Sequence, residues 1–269
     1  QSLQQSTARQ LRCRPTELGQ LHELEAARGD APRKSRWRMQ GQRCDPGALE
    51  QLVSTYRRLI CEVVAPHVAE GYVGLCDDIV FQAMPSLRVV TPGDKASGRR
   101  HNDAMYCHQP GQINFWMPLA PAFGNNTLWL ELGDAVVPLE GDFGMIHRFH
   151  GHVLHHFTRP NDTPATRVSL DFRVVPGPCY DDDWPGSRDK KSGEQSFFVG
   201  GYYARARFDG AKGEWRVCED EEASILRGNP GRLLGRRAVQ WRGADAATSY
   251  PLRGADAPSG VSGLARLAR

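Results

Sequence analysis

No run in the chain approaches the ~18 consecutive apolar residues that a membrane span requires, although 40% of its 269 residues are hydrophobic. A helical membrane protein is therefore excluded, while enough apolar material remains for one sizeable core. Cys-x-x-Cys is missing as well: the seven cysteines, at 13, 44, 61, 76, 107, 179 and 218, are scattered and odd in number. Neither a disulfide framework nor a zinc ribbon fits that spacing, so they read as reduced, mostly buried thiols. There is no βαβ rhythm and no glycine-rich phosphate loop after a strand, which argues against a dinucleotide fold. Nor is there an apolar signal-type segment near Gln1, and the chain does not begin with methionine. The expectation is a trimmed chain from a soluble, intracellular, cytoplasmic protein, with a removed targeting peptide as the alternative.

Charge is sparse in net amount but uneven in placement. The formal balance is +3, yet Arg227 to Arg269 holds eight arginines against two aspartates, in a stretch rich in Gly, Ala, Ser and Pro. A second basic run, RKSRWRMQGQR, spans Arg33 to Arg43. No nucleic-acid motif accompanies either run, so both read as solvated surface, and no nucleic-acid or membrane partner is expected. The chain divides into a partly helical, basic extension over 1–44, a catalytic-type domain over 45–215 and a basic extension over 216–269. Oligomeric state is not legible from the sequence.

A helix is expected over 45–66. Asp45 is a suitable N-cap and Pro46 fits the first helical position, where its missing N–H would be unpaired anyway. Leu49, Leu52, Val53, Tyr56, Leu59, Ile60, Val63 and Val64 then form one apolar stripe, ended by Pro66 or Gly71. A weaker pattern at Leu18, Leu21, Leu24 and Ala27 predicts a helix packed outside the core. After Gly71 come short apolar runs: Ile79–Gln82, Leu87–Thr91, Ile113–Met117, Thr127–Leu132, Val136–Leu139, Gly144–Phe149, His152–Thr158 and Thr166–Val175. At this spacing they predict a mainly β fold, an antiparallel sandwich or barrel, with the helix against one sheet. The motif GGYYARARF, Gly200 to Phe208, adds closing strands over about 197–208.

Chemistry concentrates in two places. MIHRFHGHVLHHF, Met145 to Phe157, carries five histidines: His147, His150, His152, His155 and His156. About fifty residues upstream, His101 and Asp103 sit two apart, so on an extended chain one imidazole and one carboxylate share a face. A third ligand from a distant strand would complete a 2-His-1-carboxylate face, which leaves open positions on an octahedral metal and suits chemistry at iron. The turn composition of Arg159 to Pro164 predicts a hairpin. With its turn centred between Asn161 and Asp162, His156 lies opposite Arg167 and on its face; a one-residue slip favours His155 instead. In the first register, Arg167 and Ser169 stand ready to grip the far carboxylate of a chelating dicarboxylate.

His101-x-Asp103, a later histidine and Arg167-x-Ser169 resemble the signature of the Fe(II)- and 2-oxoglutarate-dependent dioxygenases. HNDAMYCHQPGQINFWMPL and HHFTRPNDTPATRVSLDFRVVP resemble, within that family, the streptomycin-biosynthesis dioxygenase-like subgroup, over roughly residues 80 to 177. Phe157 and His152 depart from the tyrosine and asparagine usual there. The resemblance implies a double-stranded β-helix (jelly-roll, cupin-like) core over about 78–177, with iron bound by His101, Asp103 and His156. It further implies 2-oxoglutarate held by Arg167 and Ser169, with dioxygen as co-substrate and release of succinate and carbon dioxide. A small, polar specialised metabolite would undergo hydroxylation, desaturation or cyclisation. Halogenation is disfavoured, because related halogenases carry a small residue where Asp103 stands.

Further candidates follow from position. Asn114 is a candidate contact to 2-oxoglutarate or to a metal-bound carboxylate, against plain sheet packing. Arg88, Tyr106, His108, Gln109, Trp116 and Arg173 are candidate substrate contacts, with an internal ion pair of Asp171 and Arg173 as the competing reading. The remaining histidines of the cluster read as surface or supporting groups. Two other classes stay open: a cupin-like metalloenzyme that does not use 2-oxoglutarate, and a non-catalytic metal-binding β-sandwich. Succinate release dependent on 2-oxoglutarate discriminates among the three.

Overall fold

The computed structural model describes residues 2–29, 46–71, 76–188, 195–218 and 247–251. The expectations for Asp45, for the basic run 33–43 and for most of 216–269 lie outside them. The central helix α3, Pro46–Leu59, buries Leu52 and Tyr56, and its stripe continues through Ile60 and Val64. Pro66 does not end it. A wide π turn over Ile60–Val64 leads into α4, Ala65–Glu70, which stops at Gly71. Within the wide turn the Ala65 N–H reaches back to the Ile60 carbonyl, an i to i−5 bond, so the helix passes the proline despite its missing N–H.

The N-terminal segment corrects one expectation. The two short helices α1, Leu3–Gln10, and α2, Leu21–Ala27, do not pack outside the core. Leu3, Ala8, Leu11, Leu18 and Leu21 belong to the same buried cluster as the sheet residues Phe81, Leu170 and Phe172. A capping box on Ser2 starts α1, and the Thr166 N–H donates to the Gly19 carbonyl at 2.7 Å, which ties the segment to the start of a central strand.

The expected runs form β1, Asp78–Gln82; β2, Ser86–Val90; β3, Ile113–Pro118; β4, Trp129–Leu132; β5, Ala135–Pro138; β6, Met145–Phe149; β7, His156–Phe157, where the expected run from His152 begins instead as a turn; and β8, Arg167–Pro176. β9, Tyr203–Asp209, β10, Glu214–Val217, and β11, Ala247–Pro251, follow. The main antiparallel sheet has the order β10-β9-β1-β8-β3-β6-β11, with β2 sharing the β1 edge of β8. A smaller antiparallel sheet has the order β5-β4-β7. The core is thus mainly β, two sheets with flanking helices, the architecture expected of a double-stranded β-helix. No helix of the described residues is long and apolar enough to cross a membrane.

β8 shows why the site lies where it does. Val168, Leu170, Phe172 and Val174 alternate into the main core, under the Tyr56 ring 5.2 Å from Phe172. The intervening Arg167, Asp171 and Arg173 line a cavity between the sheets. The expected hairpin between β7 and β8 is not formed. His156 pairs with Leu130 of β4, whereas Arg167 pairs with Val90 of β2, so residues 158–166 cross from one sheet to the other. The turn chemistry is present, but it serves a crossover: buried Asn161 donates to the Val90 and Ala165 carbonyls and accepts from Thr163.

Described cysteines form no disulfide, as expected, but they are less buried than predicted: Cys107 is exposed and the others are half-buried.

Candidate metal centre

His101 and His156 face each other across an isolated antiparallel bridge, and their rings lie 4.3 Å apart. Asp103 arrives by a different route from the extended geometry expected. It opens a 3-10 turn, Asp103–Tyr106, capped by the Asn102 side chain, and its N–H donates to the Gly151 carbonyl at 2.7 Å. The result brings one nitrogen of each imidazole and one Asp103 oxygen within 4.8 Å of one another. His156 Nε2 lies 3.7 Å and His101 Nε2 4.0 Å from Asp103 Oδ1.

The protonation pattern follows from the backbone. His101 Nδ1 lies 2.6 Å from the Arg99 carbonyl and His156 Nδ1 3.1 Å from the Leu154 carbonyl. A carbonyl only accepts, so each Nδ1 carries a proton and each Nε2 is the ring nitrogen turned toward the carboxylate. Burial pushes the His156 imidazole down to about 4, so it is neutral at physiological pH. The lone pair of the neutral His156 and a carboxylate oxygen thus converge beside His101 Nε2, an arrangement that a cation among them satisfies. The donor set of two imidazoles and one carboxylate suits a divalent ion such as Fe(II).

Asp103 is fully buried and asymmetrically held. Oδ2 accepts from Gln112 Nε2 at 2.6 Å, from Asn114 Nδ2 at 2.7 Å and from Arg173 Nε at 3.0 Å. Oδ1 has only a 3.4 Å contact from Arg173 Nη2. Burial alone would raise this carboxyl, but the charge and hydrogen bond of Arg173, with neighbouring imidazoles, hold it well below the usual carboxylate range. Arg173 is anchored in turn, donating to Gln82 Oε1 at 3.3 Å and to the Tyr202 hydroxyl oxygen at 3.2 Å. Gly151 is required beside this group, because a Cβ there would fall within 2.6 Å of the Asn114 amide.

At another wall of the cavity Arg167 is 1% exposed and donates from Nη1 to the Thr127 carbonyl at 3.1 Å. Its Nε and the Ser169 hydroxyl, both buried, have no partner among the described residues. Burial, with Arg88 nearby, lowers the Arg167 guanidinium to about 10. An unsatisfied guanidinium N–H and hydroxyl cost stability when buried, and a carboxylate satisfies both. Arg88, also on the cavity, forms a two-bond pair with Asp171 at 2.5 and 3.1 Å. Asp171 is thus engaged in an internal ion pair, with Arg88 as its main partner in place of the expected Arg173.

The other expected residues fall into two groups. Trp116, Arg88, Arg173 and Asn114 line the cavity. Both ends of the Asn114 amide are engaged, accepting from Gln112 and donating to Asp103, which matches the expected contact to a carboxylate of the candidate metal centre. Tyr106 is exposed, with its ring edge-on to His101 at 4.9 Å. His108 and Gln109 are buried and do not line this cavity, although His108 is close enough to act on the Asp103 carboxylate. Gln109 exchanges hydrogen bonds with the Asp181 backbone, and His108 stacks on Phe197 at 4.2 Å.

The remaining histidines of the cluster have separate surroundings. His147 is buried beside Trp116, His150 donates to the Pro110 carbonyl, His152 to the His108 carbonyl, and His155 lies 3.8 Å from Glu131. Sequence reasoning does not find Gln112 and Tyr202 as supports of the site. Gln112-x-Asn114-x-Trp116 continues one strand-face alternation, and that signal points to the first of them.

No family model matches the chain. The streptomycin biosynthesis protein StrG of Streptomyces griseus is 32% identical over 148 residues, which is 55% of this chain and 67% of StrG. Among solved structures, the non-heme monooxygenase ThoJ in its nickel complex aligns at 19% identity over 41% of this chain, TM-score 0.34; the chain spans 50% of that protein's length. The non-heme α-ketoglutarate-dependent epimerase SnoN from nogalamycin biosynthesis aligns at 16% identity over 68% of this chain and 83% of its own, TM-score 0.38. EvdO2 from Micromonospora carbonacea var. aurantiaca, complexed with 2-oxoglutarate, aligns at 15% identity over 41% of this chain and 58% of its own, TM-score 0.33.

Proposed function

Because the chain belongs to the Fe(II)- and 2-oxoglutarate-dependent dioxygenase family, in its streptomycin-biosynthesis dioxygenase-like subgroup, we propose that it oxidises a small, polar specialised metabolite by hydroxylation, desaturation or cyclisation, releasing succinate and carbon dioxide. The observation that carries this reading is the convergence of His101, Asp103 and His156, with both Nδ1 atoms committed to carbonyls. In this reading the three side chains hold Fe(II). When bound, the iron supplies activation of dioxygen coupled to oxidative decarboxylation of 2-oxoglutarate.

The protein's part is placement. His101 and His156 present Nε2, because their other nitrogens are fixed by the backbone, and Asp103 presents Oδ1. Arg167 and Ser169 take the distal carboxylate of 2-oxoglutarate, with the two buried donors that otherwise stay unsatisfied. Trp116 and the Arg88–Asp171 pair form the cavity wall that a substrate meets. The test is succinate formation by the full chain with ferrous iron, 2-oxoglutarate and a panel of polar metabolites. Succinate release that depends on iron and 2-oxoglutarate is the expected result. Iron uptake with no consumption of 2-oxoglutarate by any candidate favours the non-catalytic reading.

A further inference from the structure

We propose that Arg173 is a positioning residue that restricts Asp103 to one coordinating oxygen, and that Tyr202 and Gln82 keep it in place for that task. The inference rests on the ligand reading above and adds a role to a residue expected to touch substrate. Three N–H donors, from Gln112, Asn114 and Arg173, end on the same oxygen, Oδ2. That oxygen's lone pairs are consumed, whereas Oδ1, the atom nearest both Nε2 atoms, accepts only the longer 3.4 Å bond from Arg173 Nη2 and keeps lone-pair capacity for an ion. A carboxylate bound through one oxygen occupies one coordination position, and one bound through two occupies two. With His101 and His156, the first arrangement leaves three positions of an octahedron for the reactants and the second leaves two.

Gln112 and Asn114 are neutral amides, and each is also tied to the other. Only Arg173 brings a positive charge to the carboxylate, and its planar fork fixes direction as well as distance. Its far edge is held by Gln82 Oε1 and the Tyr202 hydroxyl, while Tyr202 also donates to Gln82 Oε1 at 2.9 Å. The Gly200–Phe208 motif thereby reaches the metal centre through one hydroxyl and one guanidinium. Supporting partners of this kind are worth about 10–100-fold in metal affinity.

The probe is Co(II) alone, titrated into the full chain and followed by its visible absorption, so that no turnover is needed. Wild type is expected to bind and His156→Ala to lose binding. Arg173→Gln is expected to weaken binding by about 10–100-fold and to change the absorption envelope, while Arg173→Lys, which keeps charge but not the fork, recovers part of the affinity. Arg205→Gln breaks another part-buried arginine–aspartate pair of the same sheet, to Asp78, and is expected to leave affinity and envelope unchanged. Equal binding by wild type and His156→Ala overturns the ligand reading and the proposal with it. Loss in His156→Ala with unchanged affinity and envelope in Arg173→Gln overturns the proposal alone. If circular dichroism shows Arg173→Gln unfolded, Tyr202→Phe decides: an altered envelope supports the role and an unaltered one refutes it.

Discussion

His101 and His156 are joined backbone to backbone: the His101 N–H donates to the His156 carbonyl at 3.1 Å and the His156 N–H to the His101 carbonyl at 2.8 Å. Two imidazoles far apart in sequence are therefore paired as directly as ladder neighbours, where side chains on one face lie within contact range. A change of one residue in that pairing would turn His156 away and bring His155 or Phe157 to its place.

The first prediction follows from this pairing. His156→Ala should abolish iron-dependent succinate release, while His155→Ala, which alters only a side chain near Glu131, should keep most of it. The measurement is succinate per minute at saturating 2-oxoglutarate. Near-normal release in His156→Ala would remove His156 from the ligand set.

Much of this is legible in the sequence, for identifiable reasons. On β8 the alternation of Val168, Leu170, Phe172 and Val174 against Arg167, Ser169, Asp171 and Arg173 marks the core face by spacing alone. The hairpin that singles out His156 does not form, and His156 comes to face Asp103 because β7 pairs with β4 and His101. Strand pairing between sheets is a long-range choice, and a turn-rich segment such as Arg159 to Pro164 serves a hairpin and a crossover equally well. The Asp103 hydrogen bonds are illegible for the same reason. Gln112, Arg173 and Gly151 reach it from three separate segments, which no local spacing encodes.

Arg167 carries the second prediction. Its guanidinium is buried on the cavity wall, and its Nε and the nearby Ser169 hydroxyl are buried without a partner among the described residues. Arg167→Ala should raise the 2-oxoglutarate concentration needed for half-maximal succinate release. The loss of a buried charge-assisted partner costs about 2–5 kcal/mol, which is roughly 30-fold or more in affinity. An unchanged 2-oxoglutarate dependence would refute the role.

Gly151→Ala is the third. Its new methyl would meet the Asn114 amide within 2.6 Å, inside any tolerated contact, and the Gly151 carbonyl also accepts the Asp103 N–H. Relief requires moving Asn114 or that backbone, and overpacking of this kind costs about 1–3 kcal/mol. Thermal unfolding should show the loss, and Co(II) titration of the folded fraction should show weaker binding. A variant as stable as wild type with unaltered Co(II) binding would mean that the segment yields without disturbing Asp103.

Acid sensitivity gives the fourth prediction, away from the metal centre. His147 is buried, and burial lowers its imidazole to about 4 from an ordinary 6.5, against a smaller opposing backbone hydrogen bond at Glu140. Between those two values the unfolded chain binds a proton at this position that the folded chain does not. Stability contributed here is therefore intact above about pH 6.5 and is lost progressively as pH falls toward 4, by an amount on the order of 3 kcal/mol. His147→Gln cannot take up that proton, so its stability should decline less steeply than wild type between about pH 6.5 and 4.5 in urea titrations. Parallel declines for the two proteins would show that His147 is not depressed, and that other buried imidazoles carry the acid sensitivity.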